Sequence, residues 1–195
     1  LSLLLYYLKL NSFVIREYRI GMVLKPQDVV VLLKLFTLGG RQTSFAVLAK
    51  SLYMSASEVH AAVRRAQMAE LYNEPTERVI VRNLLEFIVH GVRYAFPAVQ
   101  GGKARGLVTA YAAPPLNSRI SAREALPPVW PWGDGPSQGL SVEPLYRSVP
   151  RACAEDRRLY ELLALVDGIR IGKVRERRIA SELLEREISG NQMLT

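Results

Sequence analysis

Nine of the chain's eleven prolines, with six of its glycines, fall between Pro97 and Pro150. A proline inside a helix lacks a ladder N–H and its ring collides with the preceding turn. No long helix can run through that stretch, so helices are confined to either side of it. "GGKARGLVTAYAAPPL" and "PPVWPWGDGPSQG" show neither helical nor strand periodicity, and residues 97–150 are expected to be irregular chain. Residues 22–96 and 151–195 then carry the regular structure. A hydrophobic content of 49% is enough to build a core from them.

Helical punctuation is clear ahead of the proline-rich segment. Pro26 suits a first helical turn, Val29, Leu32, Leu33 and Phe36 repeat at helical spacing, and "LGG" at Leu38 to Gly40 closes the element. A second helix is predicted after Thr43 or Ser44 as N-cap, with Phe45, Leu48, Ala49 and Leu52 on its inner face. After the tight connection "YMSAS", a third should run from about Ala56 to Ala69. "ELYNEPTERVIV" reads as two short strands around a turn at residues 73–76. "RNLLEFIVHGVRYAF" predicts a fourth helix with Asn83 as N-cap, apolar on nearly every face and therefore buried in a core or a dimer interface. Beyond residue 150, Leu159, Leu162, Leu163, Val166 and Ile169 predict one helix, and Ile179, Leu183 and Leu184 a second, with Gly168 and Gly172 dividing them. Their alternating acids and bases suit a solvated face. The expected class is mainly α with a small β-hairpin (α+β).

Residues 1–21 open with "LSLLLYYLKL", an apolar run too short to span a bilayer and without the flanks of a signal peptide. They are expected to be a leader or upstream-start segment that adds little to the fold.

Catalytic chemistry has little to work with. One cysteine, Cys153, allows neither an intramolecular disulfide nor a cysteine zinc cluster, and is expected to be a reduced thiol in a cytoplasmic protein. The two histidines, His60 and His90, offer no triad and no metal pair, and His90 is expected in a core or interface. "GGKARG" at Gly101 to Gly106 lacks the order of a phosphate-binding loop; it reads as a flexible basic loop whose Lys103 and Arg105 add phosphate contacts. No enzyme, metal or cofactor is expected. Trp130, Trp132 and Tyr146, on irregular chain, serve either as anchors folded back on the protein or as contacts for a partner, the first being favoured.

A net charge of +8 and a pI near 9.8 favour a polyanionic partner. "SLYMSASEVHAAVRR", Ser51 to Arg65, supplies a surface for one. Leu48, Leu52, Met54, Val59 and Ala62 stand where a helix-turn-helix locks its crossing, with Ala49 at the closest approach. The turn position that usually holds a left-handed glycine is Tyr53. With Val59, Ala62, Val63 and Ala66 inward, Ser57, His60, Ala61, Arg64 and Gln67 face out. Ser55 and Ser57 let the helix N-terminus approach a phosphate, and His60, Arg64 and Gln67 can reach base edges, with Arg65 beside them as further positive charge.

Residues 26–96, by the order of these elements and the hairpin that follows, resemble the DNA-binding domain of bacterial winged helix-turn-helix transcription regulators, broadly the MarR-like type. The hairpin "NEPTERVIV" carries no Asp-x-Arg wing signature. The resemblance implies a homodimer on double-stranded DNA, the Ser55–Gln67 helix in the major groove, and Arg78 or Arg82 of the wing on phosphates or in the minor groove. Two other functions fit the same sequence: an antitoxin-like or regulatory subunit gripping a protein partner through residues 97–195, and a winged-helix adaptor that binds no DNA.

Overall fold

The computed structural model describes residues 23–120 and 126–190. The expectation for residues 1–21 lies outside them. The chain is α+β, with a two-stranded hairpin and a separate three-stranded sheet.

Helix α1 (Pro26–Thr37) starts where proline permits. The Lys25 backbone N–H donates to the Asp28 carboxylate at 2.8 Å, which satisfies one free donor of the first turn. Val29 to Leu33 are all buried, so α1 is a central helix rather than a half-exposed one. It ends at Leu38, and Gly39 and Gly40 reverse the chain with φ of +62° and +79°. Helix α2 (Phe45–Leu52) is capped by Ser44, whose hydroxyl accepts from the Val47 N–H at 3.2 Å. Leu48, Ala49 and Leu52 are buried as expected, but Phe45 is exposed. It lies at the start of the helix, ahead of the buried stripe. Helix α3 (Ala56–Met68) buries Val59, Ala62, Val63 and Ala66 against α1 and α2.

Strands β1 (Tyr72–Asn73) and β2 (Arg78–Val79) pair antiparallel, with Tyr72 opposite Val79. The next helix, α4, begins at Val81–Glu86, passes through a π-helical stretch at Phe87–Gly91 and ends as Val92–Ala95. Ile80, not Asn83, stands at its N-cap; the Asn83 amide instead donates to the Glu70 carbonyl at 2.8 Å. Leu84, Ile88 and Val92 are buried, whereas His90 is exposed and so is not a core histidine of this chain. The apolar stripe is narrower than the composition implied.

The proline-rich segment is not irregular throughout. Strands β3 (Gln100–Val108), β4 (Pro128–Pro131) and β5 (Ser137–Val142) form a sheet that closes on itself. β3 pairs antiparallel with both β4 and β5, which pair in parallel with each other. So small a ring brings its strands close together, with the buried Val129 side chain against Gly106 and Gly139. A Cβ on Gly106 would collide with the Trp130 carbonyl, and one on Gly139 with the Pro127 carbonyl. Glycine here marks close backbone approach within strands rather than loop, so the missing alternation was a misleading sign.

Helices α5 (Val149–Glu155), α6 (Arg157–Ile171) and α7 (Val174–Gly190) complete the fold. Gly172 and Lys173 separate α6 from α7, so of the two glycines only Gly172 divides the helices. Gly168 lies inside α6, where a Cβ would come within 2.6 Å of Leu116 and 3.0 Å of Ala180. α6 packs on α1, α4 and α7, so the cover over α4 comes from this same chain. One continuous core joins Leu33 and Leu52 to Leu159, Leu163 and Leu184.

Charge is also buried within it. Asp167 accepts from Trp130 Nε1 at 2.5 Å, Thr109 Oγ1 at 3.0 Å and an Arg170 guanidinium nitrogen at 2.6 Å. Arg170 also donates to the Phe96 and Glu143 carbonyls, at 2.9 and 3.3 Å. Burial pushes the Asp167 carboxyl up, while Arg170, Trp130 and Thr109 oppose that shift. Trp130, 1% exposed, is thus an anchor between the sheet and α6. Asp167 and Arg170 correct the expectation of a wholly solvated charge pattern in these helices. Cys153 is buried, and burial pushes its thiol well above the ordinary value.

Candidate nucleic-acid interface

Tyr53 carries the chain from α2 to α3 at φ 53° and ψ 40°, the left-handed conformation that favours glycine. Contacts from a distant segment hold it there. Its hydroxyl is hydrogen-bonded to the Glu155 carboxylate, which pushes the phenol pKa up, and the Arg151 guanidinium carbon lies 4.0 Å from the ring centroid. Ser148 Oγ donates to the Leu52 carbonyl at 2.6 Å, tying the start of α5 to the end of α2.

Ser55 caps α3 by accepting from the Glu58 N–H at 3.1 Å, and its hydroxyl lies 3.0 Å from that of Ser57. Both serines are exposed. One turn on, His60 is exposed and meets Phe45 edge-on, with 5.4 Å between ring centroids. Arg64 follows on the same side, exposed and without an ion-pair partner among the described residues. Ser57, His60 and Arg64 therefore line up as expected from the inward packing of Val59, Ala62 and Val63.

Arg65 does not join them. It is 6% exposed and grips Asp28 through two bonds, Nε to Oδ2 at 2.8 Å and a terminal nitrogen to Oδ1 at 2.6 Å. The same terminal nitrogen lies 2.9 Å from Glu58 Oε1. The paired Asp28 carboxylate pushes the guanidinium pKa up, and burial opposes it. Glu58 is held below the ordinary range, first by the Gln27 amide at 3.0 Å and then by Arg65. Arg65 is therefore an internal clamp of α3 against α1. Asp28 is the residue that sequence reasoning missed. A lone acid in the first turn of an otherwise apolar helix was its signal.

Gln67 is also engaged, its amide donating to Glu74 in the hairpin at 2.6 Å on the exposed surface. Arg78 is exposed on β2 beside the turn after α1, where a Cβ on Gly40 would lie 3.1 Å from its Nε. Arg82 belongs to the first turn of α4 rather than to the hairpin. Lys103 and Arg105 sit on β3, opposite Leu140 and Gln138, not on a flexible loop. Alternation along the strand puts both on one exposed face. They belong to the three-stranded sheet and not to the surface of α2 and α3.

Among the described residues no cluster of His, Cys, Asp and Glu is placed to hold a metal ion, and no helix is long and apolar enough to cross a membrane. No protein family, curated protein or solved structure matches the chain.

Proposed function

We propose that this chain is a DNA-binding regulator, with residues 26–96 forming a winged helix-turn-helix unit, α3 entering the major groove and β1–β2 serving as the wing. The observation that carries the reading is Arg64. It stands unpaired on the outer side of a helix whose inner side is wholly packed, one turn beyond His60 and two turns beyond a serine-capped N-terminus. A guanidinium so placed can bond guanine O6 and N7 together, a contact that discriminates by about 1–3 kcal/mol. Arg78 is suited to phosphate contact from the hairpin. As a homodimer, the protein would set two copies of α3 on half-sites about one helical turn apart. The activity is binding, with no bond made or broken.

Selection of bound duplexes from a random pool, followed by competition titrations, tests this. One enriched motif is expected. Arg64→Ala should compress the preference for that motif by about 1–3 kcal/mol, or about 5- to 150-fold. An unenriched pool, or equal loss on motif and random DNA, rejects the placement of α3.

A protein-contact role has one observation of its own. Phe45 and Val47, 39% and 61% exposed, put apolar surface on α2 beside His60. Under that adaptor reading, Arg64→Glu leaves activity intact.

A further inference from the structure

Helix α5 brings Arg151 to the α2–α3 turn, and Arg147 lies just before that helix, beside the Ser148 that bonds the end of α2. Arg151 is exposed and lies over the Tyr53 ring at 4.0 Å, two residues before the cap of α3. Arg147, also exposed, lies 5.9 Å from the Tyr146 ring, next to the Ser148 hydroxyl that bonds the end of α2. No carboxylate forms an ion pair with either guanidinium among the described residues, although Lys34, Arg157 and Arg178 all have one. The Arg151 guanidinium is held by the ring and hydroxyl of Tyr53, and its remaining N–H donors are suited to the forked oxygens of a phosphate. The ring also limits the rotamers lost when such a contact forms.

We propose that Arg147 and Arg151 form a phosphate clamp that grips the backbone of duplex DNA at the edge of the groove entered by α3. This rests on the DNA-binding reading above. In a helix-turn-helix the helix before the turn crosses the backbone while the next lies in the groove. A charge fixed on the turn therefore meets phosphates, not base edges. The clamp comes from the C-terminal region, yet it is held to the turn by Ser148 and Tyr53. It thus registers the reading helix on the duplex as well as adding affinity. Glu155, which accepts the Tyr53 hydroxyl, lies within the cluster. That carboxylate suits discrete phosphates on a rigid backbone better than a diffuse anionic membrane surface, which is typically met by runs of unpaired lysine and arginine.

The test is fluorescence anisotropy with a random-sequence duplex across a salt series, on the full chain. Each phosphate contact contributes about 0.9 to the slope of log affinity against log salt. Arg147→Gln with Arg151→Gln should lower that slope by about 1.8, so the affinity lost between about 50 and about 200 mM salt shrinks by about tenfold. The loss should be equal on random DNA and on any motif the protein prefers. Arg175→Gln with Arg178→Gln removes the same charge from exposed positions on α7 and should leave the slope unchanged. Arg151→Lys keeps the charge without the planar fork, and should hold the slope while weakening affinity.

An unchanged slope in the Arg147/Arg151 variant overturns the clamp, as does an equal fall in the α7 variant. Loss of binding to phosphatidylserine vesicles with DNA binding intact would also overturn it. If the unaltered protein binds no duplex at any salt, the DNA-binding reading itself fails, which is a distinct outcome.

Discussion

Arg65→Ala should be among the most damaging single changes in α3, and it should act on stability before any binding function. Arg65 is 6% exposed and Asp28 0%, joined by two bonds at 2.8 and 2.6 Å. Removing the guanidinium leaves the Asp28 carboxylate in the core with only the Lys25 backbone N–H for support. Breaking a buried pair from one side costs about 3–5 kcal/mol, much of it the stranded charge. For a chain of this size each kcal/mol lowers the melting temperature by about 2–4 °C, so a fall of about 6–20 °C is expected. Asp28→Asn should cost less. Arg65 would keep Glu58 at 2.9 Å, and the Glu58 side chain is 27% exposed, so no charge is stranded dry. Urea and thermal unfolding of both variants, followed by circular dichroism, give the order directly. The reasoning is refuted if Arg65→Ala melts within a degree or two of the unaltered protein while losing DNA affinity. That result would put Arg65 on the interface after all.

Two further outcomes follow from the packing. Asp156 is held below its ordinary carboxylate range despite burial, by the Leu159 N–H it caps and by Lys34 at 2.6 Å. A lowered folded-state pKa contributes stability that is full above about pH 4 and lost as pH falls through the folded value. Asp156→Asn should therefore lower stability at neutral pH and flatten the acid limb of a melting-temperature profile; an unchanged limb would remove Asp156 from the account. Gly106→Ala drives a methyl into the Trp130 carbonyl, so the three-stranded sheet should open and Trp130 fluorescence should shift toward that of exposed tryptophan. Retention of a buried emission spectrum would show that the ring of strands has room to spare.

Local sequence was enough wherever one element decides its own shape. Pro26 started α1, Gly39 and Gly40 stopped it, Ser44 and Ser55 capped α2 and α3, and the inward row from Val59 to Ala66 set which side of α3 faces out. These effects act within a few residues, through φ preferences, free N–H groups and helical spacing. The three-stranded sheet was hidden because its closure removes side chains at glycines, and with them the alternation that identifies strands. Arg64 and Arg65 are neighbours of the same type in one helix. Helical geometry turns consecutive residues by roughly a third of a turn, so one meets water and the other meets Asp28 on α1. Which acid waits inside is a matter of how α1 and α3 cross, and no local pattern encodes it. Tyr53 shows the same limit from the other side. A tyrosine in a left-handed turn reads as a misfit until Glu155 and Arg151, about a hundred residues later, fold back upon it. Chain connectivity alone could not place them there; the shared core of α1 and α6 does.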